Sequence, residues 1–138
     1  MDATEARRRF ASARVARLAT AGQDGRPHLV PVTFAVHGDT IWSAVDDVKP
    51  KTTTRLRRLA NVAANPAVCF LVDHYDESDW SRLWWVRADG EGRVLPSVTE
   101  APGSLAALCA RYPQYARRPP AGPVLVVNVV RWVGWAAS

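Results

Sequence analysis

The chain has two lysines, Lys49 and Lys51, and they lie on either side of Pro50. They begin a cationic block, residues 49–58, with five basic residues and no acidic one. Clustered like charges repel each other, so such a block either faces water or binds an anion. A lysine ammonium suits a single phosphate group, and the fixed φ of Pro50 lowers the entropic cost of aiming both ammonium groups at it. The residue types alone leave a phosphate site and a solvated turn open.

A predicted helix follows the lysine pair and favours the phosphate site. Its apolar residues recur at helical spacing, and they are Leu56, Leu59, Ala60 and Ala63. Thr52 or Thr53 is the expected N-cap, because a threonine hydroxyl accepts a hydrogen bond from a free backbone N–H of the first turn. The remaining free N–H groups and the positive end of the helix dipole would add to the charge of the lysines.

Six tryptophans are the second unusual feature of the sequence. Trp84 and Trp85 are neighbours in a predicted strand, so their side chains point to opposite faces of the sheet. The outward one either covers an oligomer interface or lines a pocket for a flat ring, unless all six are core and rim residues. Trp132 and Trp135 near the end of the chain pose the same question, and a homodimer is the most economical explanation.

Motifs for catalysis by side chains or metals are absent from the sequence. His28, His37 and His74 lack the spacing of metal ligands, and His37 is expected to be exposed in a turn. Cys69 and Cys109 lie in apolar stretches and are expected to be buried, reduced thiols. No nucleophile elbow, Cys-x-x-Cys pair, Walker loop or dinucleotide fingerprint occurs. The sequence names no catalytic residue and no metal site, so any enzymatic chemistry is expected to belong to a bound cofactor.

Composition limits the class of protein. A chain of 138 residues with 48% hydrophobic and 22% charged residues predicts one folded domain, residues 1–138. The net charge of +5 suggests nucleic acid, but the basic residues do not track one face and acid-rich stretches separate them, so no nucleic-acid partner is predicted. The apolar runs are too short for a transmembrane helix, and no signal-like segment begins the sequence, so a cytoplasmic protein without a membrane partner is expected.

The elements that must position these residues are mainly antiparallel strands. Alternating and β-branched segments separated by glycine turns predict a meander over residues 15–45. Further elements are predicted at 3–14 (helix), 68–73 (strand), 84–95 (a strand or a hairpin broken at 90–92), 97–111 (helix) and 124–133 (a strand buried on both faces). Six or seven strands and three helices result, and a closed or split β-barrel removes the exposed edges of such a sheet.

Several segments together carry a family pattern. They are Leu18-Ala19-Thr20, Asp24-Gly25-Arg26-Pro27, His28-Leu29-Val30-Pro31-Val32, Lys49-Pro50-Lys51-Thr52, Leu56-Arg57-Arg58-Leu59 and Asn65-Pro66-Ala67-Val68. The pattern resembles the split-barrel flavin and deazaflavin oxidoreductases, relatives of pyridoxamine 5'-phosphate oxidase. With Asp73-His74-Tyr75 and Leu83-Trp84-Trp85-Val86-Arg87, it more narrowly resembles an actinobacterial subgroup that uses the deazaflavin coenzyme F420. The resemblance extends from about Arg14 to Trp135.

The resemblance implies a mainly β, α+β fold: a six-stranded antiparallel split barrel with short flanking helices. It also implies a homodimer with a cofactor in each of two grooves at the interface. The residues implied to hold the cofactor phosphate are Lys49, Lys51 and Thr52. Those implied to lie along the ring system and ribityl chain are Pro31, Val32, Thr33, Ser43, Ala44 and Val45. Trp85 or Arg87 is implied to approach the cofactor from the other subunit.

The implied activity is hydride transfer between reduced F420 and an electron-poor double bond or ring of a small substrate, with no proton donor named by the sequence. FMN is the alternative cofactor, because both cofactors carry a phosphate on a ribityl chain. A non-catalytic flavin- or haem-binding module is a further alternative, for which His28 and His74 would be the available haem ligands. The chain lacks the Arg-x-Val-Leu-Leu-Lys strand and the Ser-Arg substrate motif of the vitamin-synthesising oxidases, which argues against pyridoxal phosphate production.

Overall fold

The computed structural model of the protein describes residues 1–45 and 56–138. Its helices and strands are, in chain order, α1 (Ala3–Ser12), β1 (Ala16–Ala21), β2 (Pro27–Val32), β3 (Ala35–His37), β4 (Thr40–Ala44), α2 (Arg57–Ala64), β5 (Ala67–His74), β6 (Trp84–Leu95), α3 (Ser104–Arg111), α4 (Pro113–Arg117) and β7 (Val124–Ala136). Short 3-10 turns occur at Trp80–Arg82 and Val98–Glu100. None of the helices in this part of the chain is long and apolar enough to cross a membrane.

The strands form one antiparallel sheet in the order β2-β1-β5-β6-β7-β4-β3. The first and last strands of this order are joined directly, because only Thr33 and Phe34 separate β2 from β3. Val32 and Ala35 are three residue steps apart and lie within about 11 Å of each other, so the two edges of the sheet must come close at this link. The sheet is therefore rolled into a barrel that closes at the Thr33–Phe34 corner.

The strand count in the described residues is seven, not the six that the resemblance implied. The strand expected over 28–36 is two strands, because Thr33 and Phe34 leave the ladder. The backbone N–H of Phe34 donates to the Tyr112 hydroxyl at 3.0 Å, and that hydroxyl donates to the Phe34 carbonyl at 3.0 Å. A side chain 78 residues away thus takes the hydrogen bonds that a strand partner would otherwise make.

Other boundaries also differ from the sequence-based expectation. The strand β6 is continuous through Gly90 and has a bulge there instead of a hairpin turn. The helix α2 begins at Arg57 with Leu56 as its N-cap, so the expected cap at Thr52 or Thr53 is wrong for this helix, and both threonines lie outside the described residues. The helix predicted over 97–111 is a 3-10 turn followed by α3, and α4 lies in the connection that follows.

The barrel interior is apolar because β1 and β5 alternate buried and exposed positions along their length. The helix α1 closes one end of the barrel. Its Phe10 ring lies 4.8 Å from Phe34, 5.4 Å from Trp132 and 6.0 Å from Phe70, measured between ring centroids. The strand β7 is buried on both faces only over residues 124–127, and Val130 beyond them is exposed.

A second cluster of buried residues lies where α3 and α4 pack against the sheet near β3, β4 and β7. Its larger members include Trp42, Leu108, Tyr112 and Tyr115. This cluster supports the Thr33–Phe34 corner from the outside, while the barrel core supports it from within.

Candidate functional site

Four pockets among the described residues border the edge strand β2. Pro31 and Val32 line a pocket at the barrel corner, and Leu29 lines a groove on the outer face of the sheet. Pro27 and His28 line a basic pocket at the start of the strand, and Pro27 also borders a fourth pocket. The short strand β2 therefore borders all four of these candidate pockets.

The corner pocket lies between the ends of β2 and β4 and has a volume of about 180 Å³. It is lined by Val15, Pro31, Val32, Thr33, Ser43, Ala44 and Arg58. Ser43 joins its two sides, because the Ser43 hydroxyl donates to the Thr33 carbonyl at 2.8 Å. The structure thus brings together five residues that the family resemblance implied at one site. Val45, the sixth, does not line the pocket: it is buried in the barrel core, and its backbone N–H donates to the Pro123 carbonyl.

The predicted phosphate ligands Lys49, Lys51 and Thr52 lie outside the described residues. The chain leaves the described part at Val45 and returns at Leu56, and both of these residues pack on the barrel core. Arg57 and Arg58, the last two residues of the cationic block, are described. Arg58 lines the corner pocket and Arg57 lines the basic pocket, so this end of the block contributes to both.

The basic pocket has a volume of about 370 Å³ and is lined by Asp24, Arg26, Pro27, His28, Arg57 and Asn61. Asp24, its one carboxylate, accepts a hydrogen bond at 3.0 Å from the Arg26 backbone. Within residues 1–45 and 56–138, neither Arg26 nor Arg57 forms an ion pair. The positive charge of the two guanidinium groups therefore exceeds the negative charge in the pocket.

His28 adds a buried polar atom to this pocket. Its Nδ1 is inaccessible to solvent and has no hydrogen-bond partner in the described structure. An unpaired buried polar group costs about 1–3 kcal/mol. Asn61 forms the floor: it is 7% exposed, and its amide donates to the Thr20 hydroxyl at 3.0 Å. The pocket fits an anionic group such as a phosphate or a carboxylate.

Sequence reasoning did not assign the basic pocket. It placed Arg57 in the cationic block and His28 among the possible haem ligands, and it named both in the family pattern without a role in a pocket. The available signal was the pair of basic residues, Arg26 and His28, directly after a glycine turn. Their meeting with Arg57 depends on the packing of α2 beside the β1–β2 hairpin, which no local pattern predicts.

Trp85 and Arg87 do not line the corner pocket. They line a groove of about 530 Å³ on the outer face of β2, β1, β5 and β6. The Arg87 Nε donates to Asp89 Oδ1 at 2.7 Å, and the Arg87 guanidinium carbon lies 6.0 Å from the centre of the Trp85 ring. Within one chain these two residues are therefore separate from the predicted cofactor contacts.

The charges along this outer face are paired. Burial works against the charge of the Asp89 carboxylate, but hydrogen bonds from Arg87 and Arg131 hold its pKa below the ordinary value. Burial raises the pKa of the Cys69 thiol, and the charge of Asp89 adds to this effect. A raised pKa disfavours the thiolate, which is the nucleophilic form of cysteine. Cys69 and Cys109 are both free, but each is half-buried instead of fully buried as expected.

The histidines of the described residues lie apart from one another and in different surroundings. His37 is exposed, as predicted, and stacks on Trp42, while His74 stacks on Trp84. In the described part of the chain, no three side chains of the metal-binding types come together. Of the two proposed haem ligands, His28 lines a pocket given above and His74 does not.

Comparisons with known proteins agree with this architecture. Residues 3–136 match the sequence profile of the family described as pyridoxamine 5'-phosphate oxidase. A curated protein of Streptomyces rimosus, 5a,11a-dehydrotetracycline/5a,11a-dehydrooxytetracycline reductase, is 33% identical over 81 residues, which are 59% of this chain and 55% of the reductase. The match thus spans about half the length of that relative.

Solved structures share the fold at low sequence identity. A FAD-binding protein from Mesorhizobium loti has a TM-score of 0.74 at 21% identity, covering 100% of this chain and 96% of its own. HutZ, the haem storage protein of Vibrio cholerae, has a TM-score of 0.70 at 14% identity, covering 99% and 95%. Such likenesses establish the fold alone. Together with the profile match over nearly the whole sequence, they confirm the family resemblance: the chain belongs to the pyridoxamine 5'-phosphate oxidase family of split β-barrel proteins.

Proposed function

We propose that the protein is an oxidoreductase that binds the deazaflavin coenzyme F420 along β2 and transfers a hydride between it and a small unsaturated substrate. One observation carries the proposal. Two pockets flank the first turn of α2: a corner pocket lined by Thr33, Ser43 and Arg58, and a basic pocket lined by His28 and Arg57. This arrangement suits a ligand with a polar chain and an anionic group.

The dimensions of the two pockets fit parts of such a ligand. Small-molecule sites usually have volumes of about 300–1,000 Å³, so the corner pocket, about 180 Å³, accommodates only part of a cofactor. His28 and Val32 lie four residues apart on the same face of β2, which is about 13 Å at the usual rise of a strand. An extended chain ending in an anionic group would reach from one pocket to the other.

The residues of this chain would bind and orient the cofactor, and the cofactor would supply the hydride chemistry. Thr33 and Ser43 offer hydroxyl groups at the corner, Pro31 offers a surface without an N–H, and Arg58 offers a cation. Lys49 and Lys51 remain the predicted phosphate ligands. These residues alone would not enclose a cofactor, so excluding water from the site requires a further wall of protein.

A second copy of the chain would supply that wall. Leu29 and Leu71, 66% and 39% exposed, lie beside Trp85 on the outer face of the sheet. Exposed apolar surface of this kind is typical of a protein interface. We propose a homodimer in which this face is buried and Trp85 or Arg87 approaches the cofactor of the other subunit.

The relatives support oxidoreductase chemistry and leave a second cofactor in contention. The Streptomyces rimosus relative is a reductase by name, and its substrates are dehydro compounds, which favours reduction of an unsaturated substrate. The Mesorhizobium loti neighbour is named as a FAD-binding protein, which favours a flavin. FMN is therefore the second candidate, because it also carries a phosphate on a ribityl chain.

Titration of the purified protein with F420, FMN, riboflavin and haem, followed by tryptophan fluorescence, tests the proposal. We expect micromolar binding of F420, weaker binding of FMN, and much weaker binding of riboflavin, which lacks the phosphate. Lys51→Ala is expected to abolish F420 binding. Tighter binding of FMN would select the second candidate, and a haem absorption band would indicate a haem-binding module. Binding of none of these ligands would contradict the proposed function.

A further inference from the structure

We propose that Tyr115 is a positioning residue for the corner pocket. Tyr115 holds the Thr33 side chain from the side opposite the ligand. The nature of the ligand rests on the proposed function, whereas the contact itself belongs to the fold. Tyr115 lies on α4 and is 3% exposed. Its hydroxyl lies 2.8 Å from the Thr33 Oγ1, across 82 residues of sequence.

The Tyr115 contact continues across the pocket. Thr33 bonds to Tyr115 through its side chain, and its carbonyl accepts the Ser43 hydroxyl at 2.8 Å. Thr33 and Ser43 both line the corner pocket. A chain of side-chain contacts therefore connects α4 to β4 through the pocket wall.

Thr33 needs such a contact because of its place in the sheet. It belongs to the two-residue link between β2 and β3, so neither strand ladder holds it. A β-branched side chain outside a helix or sheet has more than one accessible rotamer, and a hydrogen bond to a buried partner selects one of them. Tyr115 would thus fix where Thr33 presents its hydroxyl and methyl groups to a ligand.

Tyr112 lies in the same segment but contacts different residues, so it offers a matched control. Its hydroxyl accepts from the Phe34 N–H, and its single proton is shared between the Phe34 and Arg14 carbonyls, each 3.0 Å away. Phe34 points into the barrel core and does not line the corner pocket. Loss of the Tyr112 hydroxyl is therefore expected to destabilise the fold, and loss of the Tyr115 hydroxyl is expected to change the pocket.

The test compares four hydroxyl variants of the full chain for binding of F420 and FMN. Tyr115→Phe and Thr33→Val are each expected to weaken binding of the preferred cofactor about fivefold, the usual worth of one hydrogen bond. The double variant should bind no more weakly than either single one, because both remove the same interaction. Thr33→Ser keeps the hydroxyl and should bind within about twofold of wild type. Tyr112→Phe should lower the melting temperature while binding within about twofold of wild type.

A ligand-free measurement separates this inference from the proposed function. The NMR order parameter of the Thr33 methyl group is expected to fall in Tyr115→Phe and to stay unchanged in Tyr75→Phe, which alters an exposed tyrosine. An unchanged order parameter, or wild-type cofactor binding by Tyr115→Phe, would overturn the positioning role. A lowered order parameter in a protein that binds neither F420 nor FMN would support the role of Tyr115 and contradict the proposed function.

Discussion

Arg57 and Arg58 are adjacent in the sequence, yet they line two different pockets. Neighbouring residues at the start of a helix point about 100° apart, so one side chain reaches the β1–β2 hairpin and the other reaches the barrel corner. His28 lines the same pocket as Arg57, and its Nδ1 is buried without a hydrogen-bond partner among the described residues. At the scale of single residues, the site is therefore defined by which side of α2 each cation occupies.

Replacing Arg57 tests the basic pocket. Arg57→Ala is expected to weaken binding of the phosphate-bearing cofactor about tenfold, because a hydrogen bond to a charged group contributes about 1.5–3 kcal/mol. Affinity is measured by fluorescence titration. Arg117→Ala serves as the control, since Arg117 lies on α4 and lines none of the four pockets. An equal loss in both variants would show a general effect of net charge and would contradict a specific site.

The sequence predicted one part of the site and missed another for physical reasons. The family resemblance implied that Pro31, Val32 and Thr33 lie at one site with Ser43 and Ala44, and the meander that local turn signals predict returns the chain to that corner. The pocket of Arg26, His28 and Arg57 forms only when α2 packs beside the hairpin. That packing depends on residues far apart in sequence, which a single sequence does not reveal.

At the scale of elements, the long pair β6 and β7 depends on a close approach of two backbones. An ideal Cβ on Gly90 would lie 2.6 Å from the Asn128 carbonyl oxygen and 2.7 Å from a Val127 methyl carbon. The bulge in the β6–β7 register occurs between Asp89 and Gly90. Gly90 therefore marks a bulge and not a hairpin turn. The sequence left a hairpin open because a turn and a bulge both favour glycine.

Gly90→Ala is expected to lower the free energy of unfolding by about 1–3 kcal/mol, as overpacking does in other cores. Denaturant unfolding measures it. Gly134→Ala is the matched control on β7, because a Cβ there would meet only the side chain of the terminal residue Met1, which is able to move. A neutral effect of Gly90→Ala would show that the two strands separate more easily than the structure indicates.

The helix α1 carries a pH-dependent contribution to stability. Hydrogen bonds from Arg8 and Arg9 lower the pKa of Glu5 from 4.5 to about 2. Because the folded-state pKa lies below the unfolded value, this stabilisation is present above about pH 4.5 and is lost as the pH falls towards 2.

Glu5→Gln is therefore expected to lower the melting temperature modestly at pH 7, and the difference from wild type should vanish near pH 2. Scanning calorimetry across this pH range checks the prediction. Glu77→Gln is the control, because Glu77 is exposed and has no ion-pair partner among the described residues. A difference between wild type and Glu5→Gln that is independent of pH would contradict the assigned pairs.

At the scale of the whole molecule, the barrel closes through contacts that no local pattern records. Alternating, β-branched or apolar segments between turn signals predicted strands at the positions of β1, β2, β4 and β5, because each depends on its own residues. The break at Thr33–Phe34 depends on Tyr112, and it converts a predicted long strand into the two edges of the sheet. The barrel was therefore expected from the strand pattern and the family resemblance, whereas the division of residues 28–36 into β2 and β3 depends on long-range contacts.

The outer face of the barrel is expected to join two chains. Leu71→Glu places a charge at the centre of this face and should convert a dimer to a monomer, with loss of cofactor binding, because burying an unpaired charge is costly. Analytical ultracentrifugation measures the mass. Trp80→Ser, which removes an exposed aromatic residue in the Trp80–Arg82 turn, should leave the dimer intact. A monomeric wild type that binds cofactor tightly would contradict the shared site.

The central claim is that the cofactor lies along β2, and a crystal structure of the F420 complex tests it most directly. The account predicts that the ribityl chain contacts Pro31–Thr33 and Ser43–Ala44, with the anionic groups beside His28 and Arg57 or the lysines of the cationic block. A cofactor bound away from β2, on another face of the barrel, would contradict it.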